Sequence, residues 1–280
     1  PHGKTHKCVN IAQRQLEAGA VGLCCAKIGE AEVMADGGIT GLLITSPITS
    51  PPALARMAAL AGRSPDLMVV VDHPHIAQQM DAHLAAAGAS LDVLIDIDPG
   101  IARTGVTSPE KAVELAKAIA ALPNLRLKGV QFYCGSQQHV EDYAERRAAM
   151  IDRAQLLSAH IAALSAAGFA PQIISGSGTG THQIDGELGL FTEWQAGSYV
   201  FMDRQYQDCD LSGDGQPLFE TSLFVDASVV SANHGGLVTV DAGFKALSSD
   251  GGLPTVVAGG PQQAHFAFMG DGHGALIWLD

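Results

Sequence analysis

Short runs of β-branched and other apolar residues alternate along the chain with Ala-rich stretches. The apolar runs fall at 21–25 (VGLCC), 41–45, 67–72, 91–97, 127–133, 171–175 and 197–201. Between them, 8–19, 28–36, 51–61, 74–88, 109–121 and 141–168 read as helices. Gly19, Gly37, Gly88 and Gly168 stand just past four of these stretches, where a glycine ends a helix before the next strand. Apolar strands separated by single helices predict a parallel sheet covered on both faces. Counting Pro1–Lys4 as the tail of a first strand gives about eight units, which close a (β/α)8 TIM-type barrel. An open doubly wound sheet would favour a dinucleotide fingerprint, and none follows the first complete strand. After about residue 215 helical texture stops, and 222–232, 236–243 and 274–280 read as strands between Gly- and Pro-rich turns. The expected organisation is an α/β barrel over residues 1–210, its first strand truncated, then part of a small β-rich domain over 211–280. The chain opens on Pro-His-Gly-Lys and stops at Asp280 inside a strand-like run, so it reads as an internal portion of a longer protein, truncated at both ends.

Composition narrows the function classes. Apolar residues make up 47% and charged residues 16%, which suits a packed core and argues against disorder. A formal net charge of -13 argues against nucleic acid or an anionic membrane surface as the main partner. It leaves room for a local anion site, because backbone N–H groups hold a phosphate without basic side chains. The Ala- and Leu-rich stretch 156–170 carries a histidine and two serines, as a buried helix would, and no run is apolar enough to span a bilayer. Five scattered cysteines, an odd number, point to a reducing, cytoplasmic setting.

In a (β/α) barrel the chemistry sits at the C-terminal ends of the strands. Polar residues expected on that rim are Lys4, His6, Thr45, Ser46, Asp72, His73, Asp96, Asp98, Arg103, Tyr133, Ser136, Gln138, His139, Ser175–Thr181, Ser198 and Tyr199. A lysine held at a strand end in a dry pocket can lose its proton and form an imine; otherwise PHGKTHK is a solvated loop. SGSGTGTH at 175–182 is the strongest phosphate signal, since small residues expose successive N–H groups; its plain alternative is a flexible turn. A lysine and an anion nest on one rim suggest pyridoxal phosphate. Arg103 faces a phenolate or carboxylate, or pairs with Asp96 or Asp98. Tyr133 and His139 flank a Gly-Ser pair and are candidates for acid–base work or cofactor contact. His73 and His75 are poorly spaced for one metal ion, and capping of the next helix explains Asp72 equally well. Cys24 and Cys25 are adjacent in a strand, point to opposite faces, and do not form a redox pair.

The segments PHGKTHKC, GLCCAKIGEAE, DIDPGIARTGV, QFYCGSQQH, SGSGTGT, EWQAGSYVFMD, VDAGFKA and GDGHG, in this order, resemble the D-threonine aldolase / D-serine dehydratase family of fold-type III pyridoxal-phosphate enzymes, related to alanine racemase. The resemblance implies that Lys4 is the Schiff-base lysine and that Arg103 stands near the phenolic oxygen of the cofactor. It implies that Tyr133 and His139 line the pocket, and that Gly178, Thr179, Gly180, Gly197, Ser198 and Tyr199 form the phosphate cradle. It also implies a homodimer, a small D-3-hydroxy amino acid as substrate, and a divalent metal (Mn2+, Mg2+ or Zn2+) in the full-length protein. The family's metal-binding segment lies beyond Asp280, and neither His73 nor His273 replaces it. The expected reaction is retro-aldol cleavage to glycine and an aldehyde, with His139 or a metal-bound water as base. The alternative is dehydration to an α-keto acid and ammonia, with Lys4 taking the α-proton. A non-catalytic pyridoxal-phosphate-binding protein is a further alternative, against which the β-rich region speaks.

Overall fold

The computed structural model describes residues 1–261 and 263–278. Seven strands form one parallel sheet in chain order: β1 (Leu23–Cys25), β2 (Leu42–Ile44), β3 (Met68–Val71), β4 (Leu91–Asp96), β5 (Leu125–Phe132), β6 (Ile173–Gly176) and β7 (Glu193–Trp194). The helices are α1 (Val9–Glu17), α2 (Ile28–Asp36), α3 (Pro51–Arg63), α4 (Pro74–Ala87), α5 (Pro109–Ala120), α6 (Tyr143–Ala166), α7 (His182–Leu188) and α8 (Arg204–Gln207). Proline opens α3, α4 and α5, where its missing N–H has no helical partner to lose. The Ser108 hydroxyl caps α5 and the Asp142 carboxylate caps α6.

The eight-unit expectation is met in part. Seven strands are paired, and in the eighth position stands only the Pro1–His2 stub. Its two ends touch both sheet edges: the Pro1 carbonyl accepts from Cys24 N–H at 2.8 Å and His2 N–H donates to the Ala196 carbonyl at 3.0 Å. The sheet therefore curls like a TIM barrel but is incompletely closed. The run 197–201, expected as a strand, is instead a 3-10 turn over Ser198–Val200. Gly197 lies so close to the amino-terminal stub that a Cβ there would come within 2.7 Å of Thr5 Oγ1. The Thr179 hydroxyl also takes the Tyr199 N–H that a strand would spend on a ladder.

Alternation along each strand sorts side chains to two faces. Leu23, Cys25, Leu42, Ile44, Val69, Val71, Val93, Ile95, Val130 and Phe132 pack against the helices in the main core. Cys24, Leu43, Val70 and Leu94 form a smaller apolar cluster on the other face, inside the curl. Two residues further along, the same face turns polar at Thr45, Asp96, Gln131 and Ser175.

The β-rich region is a four-stranded antiparallel sheet in the order β10-β11-β9-β8, from β8 (Val229–His234), β9 (Leu237–Val240), β10 (His265–Phe268) and β11 (Gly274–Ile277). Of the strand-like terminal run, Leu279 and Asp280 lie outside the described residues. Leu223, Phe224 and Val225, expected in a strand, are exposed and extended without a partner strand among the described residues.

Candidate active site

The loops that follow the strands carry the site. Lys4 lies in a 3-10 turn over Gly3–Thr5, and its N–H donates to His2 Nδ1 at 3.3 Å. Its ammonium stands 5.5 Å from the centroid of the Tyr133 ring, and the Arg103 guanidinium 5.6 Å from the same centroid. Lys4 is at the open rim, yet protein crowds its ammonium. This desolvation, followed by the charge of Arg103, lowers its pKa from the ordinary lysine range. Burial raises the Tyr133 hydroxyl, with Arg103 opposing. Arg103 makes no ion pair with Asp96 or Asp98 among the described residues, which leaves the first of its two expected roles open. Asp98 instead accepts the N–H groups of Gly100, Ile101 and Ala102 and so shapes the loop that presents Arg103.

Beneath the rim lies a polar layer that joins the expected Thr45, Asp96 and Ser175 to Gln131 and Gln195. Gln131 Nε2 donates to Asp96 Oδ1 at 2.9 Å and to the Thr45 carbonyl at 3.0 Å. Gln195 Nε2 donates to Gln131 Oε1 and Ser175 Oγ, and His2 Nε2 meets Thr45 Oγ1 at 3.1 Å. Burial raises the Asp96 carboxyl to about 6, against the opposing pull of its hydrogen bond from Gln131. Burial, and then the charge of Lys4, lowers His2 to about 3. A lone glutamine in the apolar run LKGVQF was the signal for Gln131; Gln195 has none, because its partners lie 20 and 64 positions away.

The glycine-rich loop 177–181 is buried throughout. The N–H groups of Gly178, Thr179, Gly197 and Ser198 donate to no acceptor among the described residues. Free donors of this kind, three of them on buried residues, suit an anion. The Gly180 N–H is engaged by Gln138 Oε1 and the Tyr199 N–H by Thr179 Oγ1, so these two shape the cradle and do not donate into it. Tyr199 Oη accepts from Gln15 Nε2 at 2.8 Å.

His139 is exposed, and its ring packs on Tyr206 with centroids 4.4 Å apart. Burial of the imidazole face lowers its pKa, with Asp203 opposing, so the ring is neutral at neutral pH. No sequence signal pointed to Tyr206. Two arginines of α6, seven positions apart, hold the neighbouring loops. Arg146, fully buried, donates to the Val140 and Asp210 carbonyls, and Arg153 Nη1 donates to the Pro99 carbonyl at 2.5 Å.

Other rim candidates have local roles. Contrary to the capping expected of Asp72, His73 caps α4, its Nδ1 accepting the His75 N–H, while Asp72 accepts the Gly105 N–H at 3.1 Å. The pyrrolidine of Pro74 fixes the first turn and leaves His75 as the first free donor, within reach of His73. His6 Nδ1 accepts the Cys8 N–H. All five cysteines are free. Among the described residues, four that are not glycine adopt left-handed backbone: Lys7 (φ 48), Ala102 (φ 54), Ser177 (φ 67) and Met202 (φ 53). Each lies in a loop that carries a candidate site residue, and strain of this kind persists where surrounding structure imposes it. No group of three or more His, Cys, Asp or Glu among the described residues could hold a metal ion. No helix among them is long and apolar enough to cross a membrane.

Known proteins resemble this chain along nearly its whole length. The family described as alanine racemase, N-terminal domain, matches residues 2–205, and a serine dehydratase-type domain family matches 222–280. A 3-hydroxy-D-aspartate aldolase from Paracoccus denitrificans (strain Pd 1222) is 38% identical over 98% of this chain and 72% of its own. The crystal structure of D-threonine aldolase from Filomicrobium marinum superposes with a TM-score of 0.92 at 40% identity, covering 99% of this chain and 73% of that one. D-threo-3-hydroxyaspartate dehydratase from Delftia sp. HT23 superposes with a TM-score of 0.84 at 27% identity, covering 99% and 76%.

Proposed function

Since the chain belongs to the fold-type III pyridoxal-phosphate enzymes, in the clade of alanine racemase-like D-threonine and hydroxyaspartate aldolases, we propose that it cleaves a D-3-hydroxy amino acid of the D-threonine kind to glycine and an aldehyde. The observation that carries this reading is the convergence of Lys4 and Arg103 on the Tyr133 ring, at 5.5 and 5.6 Å. The residues suit pyridoxal phosphate: a lysine of lowered pKa for its carbonyl carbon, an unpaired arginine for its phenolic oxygen, and free N–H donors for its phosphate. When bound, the cofactor supplies an electron sink for the bond that breaks.

In this reading Lys4 holds the cofactor and Arg103 balances the anionic phenolic oxygen. The Tyr133 ring stands beside both cations. Gly178, Thr179, Gly197 and Ser198 donate to the phosphate, while Gly180 and Tyr199 shape the cradle. His139, kept neutral by partial burial, takes the proton from the substrate's β-hydroxyl; that oxygen becomes the carbonyl of the departing aldehyde, the Cα–Cβ electrons remain on Cα, and return of a proton to Cα gives glycine. Lys4→Ala abolishes turnover, and His139→Ala lowers kcat by roughly 100-fold or more while cofactor binding persists. The divalent metal expected from the family has no ligand cluster among the described residues, and no step here uses it.

Residues 1–210 are taken as the cofactor-binding barrel and 211–280 as part of a β-rich domain. The exposed apolar residues Leu223, Phe224, Val225, Val229 and Val230 favour a homodimer, testable by sedimentation. Five free cysteines favour a reducing, cytoplasmic compartment.

A dehydratase reading is favoured by one observation, the lowered pKa of Lys4, which suits removal of an α-proton. Product analysis after incubation with D-threonine, pyridoxal phosphate and Mn2+ separates the two. Acetaldehyde with glycine is expected; ammonia with 2-oxobutanoate would replace the aldolase by the dehydratase.

A further inference from the structure

Gln138 immediately precedes His139 and is completely buried, at 0% exposure. Its amide is engaged on both sides. Nε2 donates to the Cys134 carbonyl and to Thr181 Oγ1, each at 3.1 Å, and Oε1 accepts the Gly180 N–H at 2.9 Å. Thr181 Oγ1 in turn donates a hydrogen bond to Asp185 Oδ2 at 2.6 Å, inside the same buried patch. One side chain thus ties the loop after β5, which carries Tyr133 and His139, to the glycine-rich loop after β6.

The glycines record the same contact. A Cβ on Gly178 would lie 2.3 Å from Gln138 Oε1, and one on Gly180 would lie 2.0 Å from the Gln138 carbonyl oxygen. Neither glycine has a positive φ. Contact with Gln138, and not left-handed backbone, is what excludes a side chain at both positions. The anion cradle is therefore moulded around this glutamine.

We propose that Gln138 is a positioning residue that couples the glycine-rich loop to His139, so that the hold on the cofactor's phosphate and the placement of the imidazole are set together. The inference rests on the reading that loop 177–180 receives the phosphate of pyridoxal phosphate. A glutamine that merely filled space would affect stability alone. A coupling glutamine makes the phosphate sensed at His139, and by linkage the reverse.

The test compares affinity for pyridoxal phosphate with affinity for pyridoxal, which lacks the phosphate, and follows the His139 ring by NMR across pH with and without cofactor. Wild-type protein is measured first. If it binds the two compounds equally, the phosphate-loop reading fails and the inference falls with it. Given a wild-type preference, Gln138→Met, close in volume but without hydrogen bonds, is expected to lose roughly tenfold in pyridoxal phosphate affinity and little for pyridoxal. The cofactor-induced shift of the His139 titration midpoint shrinks with it. Thr181→Val, which removes one partner and leaves Gln138 in place, shows the same pattern more weakly, and Thr181→Ser restores it. Thermal unfolding identifies the variants that remain folded. Folded variants that keep both the wild-type preference and the wild-type His139 response would overturn the proposal.

Discussion

The two faces of the parallel sheet obey different rules. The helix-facing side is apolar from end to end, and its residues belong to one continuous core. The inner side begins apolar at Cys24, Leu43, Val70 and Leu94, then becomes a hydrogen-bonded layer of Thr45, Asp96, Gln131, Ser175 and Gln195 beneath the rim. The outer face gains by excluding water, and any apolar set of the right volume serves it. The inner layer has specific partners, and its buried polar atoms are expensive unless matched. One face makes the fold; the other holds the floor of a site.

The comparison is sharpest at buried positions of the two faces. Ile95→Ala, on the outer face at 0% exposure, is expected to lower unfolding free energy by about 2–5 kcal/mol, measured by denaturant titration, with the site geometry retained. Gln131→Leu, on the inner face, removes the donor to Asp96 and the Thr45 carbonyl and the acceptor for Gln195. Its stability loss is smaller, about 1–3 kcal/mol, while cofactor affinity falls by more than for Ile95→Ala.

The inner layer also responds to pH, as the outer face cannot. Asp96 titrates near 6 when folded against 3.8 as its ordinary value, so between these limits the folded chain keeps a proton the unfolded chain has released. Its contribution to stability falls as pH rises through that window. His2 acts oppositely. With a folded value of about 3 against 6.5, it stays neutral where the unfolded chain is protonated, and its contribution rises with pH between those limits. Asp96→Asn therefore steepens the rise in thermal stability from pH 4 to 6, and His2→Asn flattens or reverses it; equal slopes in both variants would show that the layer does not titrate this way. The smallest effect lies outside both faces. Val230→Thr on the exposed strand β8 changes monomer stability by less than about 0.5 kcal/mol and weakens self-association in sedimentation.

Legibility in the sequence follows the range of the interactions. The helices over 28–36, 74–88 and 109–121 end within a residue or so of their expected limits, because apolar periodicity, proline starts and glycine stops are local. The order of the first six strands was readable for the same reason. Helix α7 escaped notice because it is short and contains Gly186, and β10 because a Gly-, Pro- and Gln-rich run precedes it. The 197–201 run reads as a strand because what bends it, the approach of Gly197 to His2 and Thr5, comes from the far end of the barrel sequence. Lys4, Arg103 and the glycine loop stood out through motif chemistry. Gln131, Gln195 and Tyr206 acquire meaning only from neighbours that folding delivers.

Helix α6 has a mechanical consequence. Arg146 and Arg153 are two turns apart and grip carbonyls of different loops, Val140 beside His139 and Pro99 near Arg103. Both loops are thus pinned to one stiff rod. A slide of that rod along its axis carries the imidazole and the guanidinium in the same direction, so their separation changes far less than the position of either. Thermal motion of α6 would displace the two groups as a pair, and the rim keeps its internal spacing while it moves.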